Sequence, residues 1–480
     1  MNRPRVLIAG TSSGSGKTTA VCAVLELLKR RDLRVKACKC GPDYIDPMFH
    51  SAVLNVPSAN LDPFFCEPSL LRKLLIGNSG DDVTVIEGVM GYYDGTGPDG
   101  TENSSFTVAD ETDTPAVLIV DAKGAAASLL ALIEGFVNFK KDSRIRGVIF
   151  NRMSAGTYTL VKGLMKDRFG DSPVPAGYIP RLPDECVIPS RHLGLVTAAE
   201  IEDLKVKIGA AADACEKTLD IDALLSIAGT AGELPYDVDG ESDIKSAIDV
   251  GGESKIDNAI DSETKLASRE RPKTCGRVKI AVAKDAAFCF YYKDTLSLLE
   301  KLGAEIVTFS PLKNEPVPEG AAGLLLGGGY PELYVDQLEK NTVSRKSVSQ
   351  AVRSGMPAIA ECGGFQYLGR MLDGRQMCGV LPHSSFPAGR LVRFGYVTLT
   401  AKEDGLFGSA GTTLRGHEFH YWDSSDNGNS FTAVKPGGRQ WDCVVYGPSL
   451  YAGYPHLFLP SNPEAAASFY RKCLEYGAAL

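Results

Sequence analysis

The stretch VLIAGTSSGSGKTT, residues 6–19, decides the fold of the N-terminal half of the chain. Its first four residues are apolar and predict a short strand that is buried on both faces, as in parallel sheets. The run from Gly10 to Gly16 predicts a loop, and Lys17 then opens a helix that we expect to continue to Leu28. A strand, a glycine-rich loop and a helix in this order form a phosphate site, because the loop amides and the helix N-terminus point at the anion.

The side chains of this loop predict a nucleotide and its metal ion. Lys17 is placed to reach the outer phosphates, and the hydroxyl of Thr18 can bind Mg²⁺. Gly10 and Gly16 are separated by five residues, one more than in the common motif, and this spacing resembles the dethiobiotin-synthetase-like branch of P-loop proteins. The residues predicted to bind ATP in this loop are Gly14, Ser15, Gly16, Lys17, Thr18 and Thr19.

The composition describes a protein of two or three domains. A chain of 480 residues is too long for one core. Its net charge of −8, without a basic stripe, argues against a nucleic-acid partner. No apolar run has membrane-spanning length, and the N-terminus leads directly into the first strand, so we expect no membrane contact. Twelve cysteines without a C-x-x-C pair indicate reduced thiols and a cytoplasmic protein.

Alternating strands and helices predict that the first half is a doubly wound parallel α/β sheet. Ligands of such sheets bind at the carboxyl ends of the strands. The residues expected at these ends are Gly10, Gly41, Glu87, Asp121 and Asn151. The apolar runs that predict its further strands are Val35–Cys40, Val83–Glu87, Ala116–Asp121 and Arg146–Asn151.

A polar segment, residues 229–273, separates this part from a second α/β unit. It contains a near repeat, GESDIKSAID from Gly240 and GESKIDNAID from Gly252. Two copies are too few for a solenoid, so we interpret the segment as a flexible linker. The predicted boundaries are 1–228 for the first domain, 229–273 for the linker and 274–480 for the second domain. The predicted strands of the second domain are Val278–Ala283, Glu305–Phe309, residues 323–329 and Ala358–Glu361.

Cys362 lies in the segment AIAECGGFQYLG, on a tight turn between a predicted strand and a predicted helix. This geometry exposes the side chain at the sheet edge and places the thiol at a helix N-terminus, which lowers its pKa. The two following glycines permit the turn, and their amides can face a developing oxyanion. The sequence therefore predicts a nucleophilic thiol rather than a cysteine of the core.

Together these motifs resemble the cobyrinate a,c-diamide synthase family over nearly the full length of the chain. The resemblance implies a P-loop, doubly wound parallel sheet that acts as an ATP-dependent synthetase, followed by a flavodoxin-like α/β domain of the class I glutamine amidotransferases. Family members use ATP and glutamine to amidate two acetate carboxylates of a corrinoid in cobalamin biosynthesis. Further segments that carry the resemblance are KCGPDYIDP, IEGVMGYYDG, SRHLGLV, AFCFYYKDTL, LLLGGGYPEL, GHEFHY and HLFLPSNPEAA.

The resemblance assigns a glutaminase site to the second domain. Cys362 is its nucleophile, and His456 is the base that activates the thiol. Most class I amidotransferases have a glutamate two residues after this histidine, where the chain has Phe458, so the third member of the site stays open. The expected oxyanion donors are Gly328, Gly329 and Gly363. Of the other histidines, we interpret His417 and His420 as structural and leave His50, His192 and His383 open.

For the first domain the resemblance implies that ATP phosphorylates a carboxylate and that ammonia displaces the phosphate from the acyl phosphate. Glu87 ends a predicted strand, where a metal-binding carboxylate is expected. Asp43 and Asp46 are expected to complete the metal shell or orient the acceptor, although Pro-Asp and Asp-Pro also form turns. Asn151 resembles the residue that contacts adenine in dethiobiotin-synthetase-like enzymes. The predicted Mg²⁺ ligands are Thr18, Asp46 and Glu87.

The expected small-molecule partners are ATP, glutamine and the corrinoid, and a homodimer stays open. The residues best placed to contact a flat, anionic tetrapyrrole are Tyr44, Tyr92, Tyr93, Arg191 and His192. Nickel-sirohydrochlorin a,c-diamide synthases and cobyric acid synthases share this architecture, and the sequence separates them poorly from the corrinoid enzymes. A different class, a P-loop partitioning ATPase with an inactive amidotransferase-like domain, predicts ATP turnover without glutamine hydrolysis.

Overall fold

The computed structural model describes residues 3–77, 81–183, 186, 198–234 and 278–480. The chain forms two compact units, Met1–Tyr236 and Asp237–Leu480. Both are built around a mainly parallel sheet. Among the described helices, none is both long and apolar enough to cross a membrane.

The first unit contains a seven-stranded sheet in which every strand pair is parallel, with strand order 3-2-4-1-5-6-7. Its first strand lies at the centre of the sheet, where both of its edges are paired and its apolar run is fully buried. The strands are β1 Arg5–Gly10, β2 Val35–Cys40, β3 Ser58–Leu61, β4 Val83–Gly91, β5 Ala116–Asp121, β6 Ile145–Asn151 and β7 Val174–Ile179.

The helices of the first unit cover this sheet. Helix α1 is almost entirely buried and shares one core with α7, α8 and the inner strands. The helices are α1 Lys17–Lys29, α2 Ile45–Ala52, α3 Pro68–Ile76, α4 Ser105–Glu111, α5 Ser128–Phe139, α6 Ala155–Phe169, α7 Ala198–Cys215 and α8 Ile221–Gly229. The predicted linker therefore begins too early: residue 229 ends α8, and Ala231 and Leu234 are buried. Residues 235–273 of that segment lie outside the described residues.

The second unit has a six-stranded sheet with order 20-21-11-10-8-9, parallel except for its short edge strand. Two smaller sheets, with orders 13-12-14-17 and 19-18-15-16-22, are mostly antiparallel. The strands are β8 Val278–Ala283, β9 Ala304–Phe309, β10 Ala321–Leu326, β11 Ala358–Glu361, β12 Met371–Leu372, β13 Arg375–Gln376, β14 Ser384–Pro387, β15 Arg393–Ala401, β16 Thr413–His420, β17 Trp422–Ser424, β18 Phe431–Val434, β19 Gln440–Cys443, β20 Val445–Tyr446, β21 Leu450–Gly453 and β22 His456–Leu457.

The helices of the second unit are α9 Lys293–Leu302, α10 Val335–Lys340, α11 Thr342–Arg353, α12 Gly363–Leu368 and α13 Pro463–Ala479. Short 3₁₀ helices span Pro311–Lys313, Pro331–Tyr334 and Leu459–Ser461. The turn from β11 into α12 carries Cys362, and β22 carries His456. The antiparallel pair β16–β22 thus positions the predicted base, and the strand-to-helix turn positions the predicted nucleophile.

Candidate active sites

The glycine-rich loop of the first unit forms a tight cradle between β1 and α1. A side chain at Gly10 would collide with the Ser15 hydroxyl, and Gly14 and Gly16 adopt positive φ angles of 76° and 93° that favour glycine. Among the described residues no side chain caps the first turn of α1. The first-turn amides, including those of Lys17, Thr18 and Thr19, are therefore available to an anion.

Asn151, the last residue of β6, holds this cradle from the side. Its Nδ2 donates a hydrogen bond to the carbonyl of Ser15 at 2.9 Å. A Cβ atom at Gly16 would clash with the Asn151 amide, so glycine is needed there for space as well as for conformation. The geometry gives Asn151 a role in fixing the loop, and its contact with adenine stays a prediction.

Glu87 is the centre of a buried polar network beneath the loop. Its Oε1 accepts hydrogen bonds from Thr18 Oγ1 at 2.7 Å and from Lys39 Nζ at 3.0 Å. Its Oε2 lies 3.1 Å from His50 Nε2, and both side chains are fully buried. Glu87 lies inside β4 and not at its end, because a bulge between the pairs Ile8–Glu87 and Gly10–Gly91 lets the strand continue.

Asp46 is tied to this network through Lys39, whose Nζ lies 2.5 Å from Asp46 Oδ2. Burial and the neighbouring charge of Glu87 raise the pKa of Asp46. Asp43 is engaged in turn formation: its Oδ1 accepts hydrogen bonds from the backbone of Ile45 at 2.8 Å and of Asp46 at 3.4 Å. Asp43 therefore forms the turn that the sequence offered as its alternative role, and the catalytic role of Asp43 stays a prediction.

The two lysines of this site differ in their electrostatics. Burial and, to a smaller extent, the nearby Lys39 lower the pKa of Lys17 to about 8. Burial also disfavours the charge of Lys39, but Glu87 and Asp46 outweigh this effect and raise its pKa. Burial opposes ionisation of Glu87 in the same way, but Lys39, His50 and Thr18 hold its pKa well below the usual range. The site therefore places the Lys39 ammonium between Glu87, whose charged form is favoured, and Asp46, whose charged form is disfavoured.

The predicted magnesium set fits the structure in part. Thr18 and Glu87 provide adjacent oxygen atoms of the kind that Mg²⁺ prefers. Asp46 is instead held by Lys39. Among the described residues no group of three or more His, Cys, Asp or Glu side chains could hold a metal ion. A metal at this position would thus take most of its ligands from nucleotide phosphates and water, as Mg²⁺ commonly does.

Cys362 occupies the strand-to-helix turn of the second unit with φ 47° and ψ −100°, a conformation that is unusual for a residue with a side chain. A side chain at Gly364 would collide with the carbonyl of Leu326, which explains the glycine after the turn. Cys362 is 9% exposed. Burial and the carboxyl group of Glu332 raise its pKa, and the Gly363 amide only partly counters them. The expectation that the helix N-terminus lowers this pKa is therefore wrong for the structure without substrate.

The three glycines predicted to bind the oxyanion lie together beside this turn. The amide nitrogen of Gly329 is 3.3 Å from the position that a Cβ atom of Gly363 would occupy. A Cβ atom at Gly328 would clash with the imidazole of His456. The structure therefore brings Gly328, Gly329 and Gly363 next to the predicted nucleophile and base.

His456 is buried, and its ring is held on two sides. Its Nδ1 lies 3.7 Å from Oε2 of Glu361, the residue before Cys362. Its ring stacks on His417, with centroids 5.1 Å apart and planes inclined by 21°. His417 Nδ1 in turn lies 3.1 Å from the hydroxyl of Tyr292. Phe458, where most class I enzymes have glutamate, is buried edge-on against Tyr292.

Comparison with known proteins agrees with this two-site arrangement. Residues 6–196 match the CobQ/CobB/MinD/ParA nucleotide binding domain, and residues 279–464 match the CobB/CobQ-like glutamine amidotransferase domain. The cobyrinate a,c-diamide synthase of Listeria monocytogenes is 36% identical over 95% of this chain and 97% of its own. The chain belongs to the cobyrinate a,c-diamide synthase family. The Salmonella typhimurium cobyrinate a,c-diamide synthase is 37% identical over 95% of both chains, and the hydrogenobyrinate a,c-diamide synthase of Streptomyces coelicolor is 37% identical over 98% of this chain and 97% of its own.

Membership of the a,c-diamide synthase family confirms the predicted order of a P-loop domain and an amidotransferase domain. It also favours the ligase over the partitioning ATPase, because the relatives match along nearly the whole chain. Among the predicted substrate contacts, one is corrected by the structure: Tyr92 is fully buried and donates its hydroxyl to the Ser143 carbonyl at 2.7 Å, so it belongs to the core. Arg191 and His192 lie outside the described residues.

The other two tyrosines predicted to contact the tetrapyrrole are largely packed against the protein. Tyr93 donates to the Phe136 carbonyl at 2.8 Å and its ring packs against Phe139. Tyr44 precedes α2 and is 8% exposed. The structure therefore offers only limited aromatic surface from these residues.

Three residues in this member of the a,c-diamide synthase family were missed or left open by sequence reasoning. Lys39 lies within a predicted buried strand, and a lysine in such a strand signals a buried charge partner. His50 was left open and contacts Glu87. Glu361 directly precedes Cys362 and belongs to no local motif that predicts a role for it. His420, which is interpreted as structural, contacts Glu418 at 3.0 Å, and His383, whose role is left open, stacks on Phe365.

Proposed function

We propose that this protein uses ATP and glutamine to amidate the a- and c-acetate carboxylates of a cobyrinate-type corrinoid. One observation carries the proposal: a single chain combines a phosphate cradle with a cysteine on a strand-to-helix turn whose neighbouring carboxylate reaches a buried histidine. Neither an ATPase nor a glutaminase alone needs both sites. The names of the Listeria and Salmonella relatives, both cobyrinate a,c-diamide synthases, support the corrinoid as acceptor.

The glutaminase half-reaction begins with transfer of the Cys362 thiol proton to His456. The thiolate attacks the side-chain amide carbon of glutamine, and the amides of Gly329 and Gly363 stabilise the oxyanion. His456 returns the proton to the leaving nitrogen, which departs as ammonia. Water then hydrolyses the thioester, giving glutamate and the free thiol. The close packing of Gly328 against the imidazole supports this assignment of the base.

The synthetase half-reaction activates a carboxylate that ammonia does not attack. Transfer of the γ-phosphoryl group of ATP to the acetate oxygen forms an acyl phosphate and ADP, and ammonia then displaces phosphate to form the amide. Lys17 neutralises the transferred phosphoryl group, and the Lys39 cation balances Asp46 and Glu87. Thr18 and Glu87 would hold Mg²⁺, which supplies further neutralisation of phosphate charge when bound.

The metal state of the macrocycle is the main alternative within this function. The Streptomyces relative is named for hydrogenobyrinate, and its identity to this chain, 37%, equals that of the Salmonella cobyrinate enzyme. Cobyrinate and hydrogenobyrinate are therefore both candidate acceptors. Nickel-sirohydrochlorin and the substrate of cobyric acid synthases stay as comparison substrates in the test.

The product mass tests this function most directly. Purified protein is incubated with ATP, Mg²⁺ and glutamine carrying heavy nitrogen in its side-chain amide, together with each macrocycle separately. We expect a product with two labelled amides from cobyrinate or hydrogenobyrinate. ATP consumption that does not depend on any macrocycle, or labelled product from nickel-sirohydrochlorin alone, would overturn the proposal.

A further inference from the structure

We propose that Glu361 is the positioning residue for His456 and so takes the place of the carboxylate that is absent at position 458. This inference rests on the proposed glutaminase function. Glu361 ends β11 and directly precedes the nucleophile, while His456 begins β22. The carboxylate therefore reaches the base from the strand that carries Cys362 rather than from the histidine's own segment.

The two oxygens of Glu361 contact two successive residues of β22. Oε1 accepts a hydrogen bond from the Leu457 amide at 3.0 Å, and Oε2 lies 3.7 Å from His456 Nδ1. The first contact fixes the carboxylate, and this orientation directs the second oxygen toward the ring. A separation of 3.7 Å is longer than a hydrogen bond. Catalytic contacts of this kind commonly tighten when substrate binds.

Burial and charge make this contact specific. The side chains of Glu361 and His456 are 13% and 3% exposed, and among the described residues His456 is the only ion-pair partner of Glu361. A mostly buried carboxylate without a lysine or arginine partner favours a protonated imidazole beside it. His456 carries that charge after it has accepted the thiol proton. Contact at Nδ1 also favours the tautomer that leaves Nε2 free to accept a proton.

The stacked histidine, His417, does not supply this charge. Its Nδ1 lies within hydrogen-bonding distance of Tyr292, and burial, with a smaller contribution from His456, lowers its pKa. His417 therefore restricts the plane of the His456 ring as a neutral group. Within the described residues, Glu361 and His417 are titratable side chains that contact His456. Tyr291 and Tyr451 are influenced by the charge of Glu361, and burial raises the pKa of both.

Replacement of Glu361 by glutamine distinguishes positioning of His456 from a hydrogen bond that only anchors Leu457. Glu361→Gln keeps an amide oxygen that can accept the Leu457 hydrogen bond but removes the negative charge. We expect kcat for glutamine hydrolysis to fall on the order of 10²-fold with little change in KM for glutamine. The acidic limb of the pH profile should move to lower pH, because the protonated imidazole loses the neighbouring negative charge that stabilises it. Amidation driven by added ammonia should stay at the wild-type rate.

Three further variants make the test decisive. Glu361→Asp keeps the charge, so we expect partial activity with an acidic limb close to that of the wild type. Glu300→Gln makes the same chemical change at an exposed position of α9 and should alter nothing. Wild-type kcat and pH profile in Glu361→Gln would overturn the inference and leave Glu361 as an anchor for Leu457. Glutamine hydrolysis that survives in Cys362→Ala would instead overturn the proposed function.

Discussion

The two candidate sites each contain a glutamate, and the surroundings of the two carboxylates differ. Glu87 is completely buried and contacts Thr18, Lys39 and His50 at 2.7–3.1 Å. Glu361 is partly exposed and has one backbone hydrogen bond, with its histidine at 3.7 Å. The first carboxylate is neutralised by the protein before any ligand binds. The negative charge of Glu361 is fully compensated only when the neighbouring imidazole becomes protonated.

This difference follows from what each site must do. Phosphoryl transfer requires little covalent chemistry from the protein, so a fixed arrangement of charges around the nucleotide is sufficient. The glutaminase must create a thiolate from a thiol whose pKa is raised by burial and by Glu332. A loosely held carboxylate near the base can stabilise the charge at the moment of proton transfer. The comparison therefore predicts that the sites can be inactivated separately and that they respond differently to pH.

The largest effects are expected from removing one reactive group at a time. Cys362→Ala should lower glutamine hydrolysis by at least about 10⁴-fold, because the covalent route is lost, while amidation with added ammonia continues. Lys17→Ala should lower amidation by about 10²–10³-fold with either nitrogen source, because a phosphate-neutralising charge is lost, while glutamine hydrolysis continues. Glutamate release and ADP release are measured in the same samples.

The wild-type protein with ammonia in place of glutamine is the control for both variants. If Cys362→Ala also lost amidation with ammonia, the thiol would be needed by the synthetase and the separation of the two sites would fail. If Lys17→Ala abolished glutamine hydrolysis, the glutaminase would depend on an occupied nucleotide site.

The next effect concerns stability and tests whether the protein compensates the charge of Glu87 before any ligand binds. Lys39→Met removes the cation from between Glu87 and Asp46 while keeping most of its volume, and should destabilise the first unit by about 3 kcal/mol. Both tryptophans lie in the second unit, so far-ultraviolet circular dichroism should show an earlier urea transition while tryptophan fluorescence stays unchanged.

An exposed ion pair provides the matched control for this stability measurement. Arg34→Met breaks the pair with Asp82, in which Arg34 is 70% exposed, and should leave the urea transition where it is. A Lys39→Met protein as stable as the wild type would mean that Glu87 and Asp46 are balanced by other groups. The contrast with Glu361 would then disappear.

The strands of both parallel sheets were predictable because they are continuous apolar runs. Residues 35–40, 116–121, 278–283 and 358–361 begin and end where the sequence places them. The short strand β3 has the sequence SANL, which is too polar and brief to be recognised, and β7 contains proline and glycine. Most strands of the two smaller sheets are two to four residues long, and their pairing depends on contacts distant in sequence.

The positions of the proposed reactive residues were predictable, but their partners were not. Cys362 and Lys17 follow from local motifs, since a turn between strand and helix fixes their position. Lys39, His50 and Glu361 act through contacts between different strands and helices, which no local pattern encodes. The prediction of a lowered thiol pKa was wrong for the same reason. The helix N-terminus could be predicted from the local sequence, whereas the burial of the thiol and its proximity to Glu332 could not.

A smaller effect is expected for the reactivity of Cys362 toward iodoacetamide. Because the pKa of the thiol is raised, the neutral form dominates near neutral pH, and the alkylation rate should rise about tenfold for each unit of pH. Mass spectrometry of the peptide that contains Cys362 follows the reaction, and urea-unfolded protein gives the rate for a thiol without these neighbours. Fast alkylation that is independent of pH would reveal a preformed thiolate–imidazolium pair and remove the difference between the sites.

The smallest effect concerns Glu332, whose carboxyl pKa is raised by burial to about 7. A carboxyl with a raised pKa stabilises the fold fully below its ordinary pKa, and that contribution is lost as the pH rises through about 7. The wild-type second unit should therefore lose about 1 kcal/mol of stability as the pH rises through about 7, and Glu332→Gln should not show this loss. The difference corresponds to about 2–4 °C in the melting temperature, which is followed by tryptophan fluorescence. The exposed variant Glu319→Gln should keep the wild-type pH dependence. Equal pH dependence in all three proteins would show that Glu332 ionises in the fold as easily as in the unfolded chain. The carboxylate would then already be charged near neutral pH, where its charge raises the pKa of the Cys362 thiol.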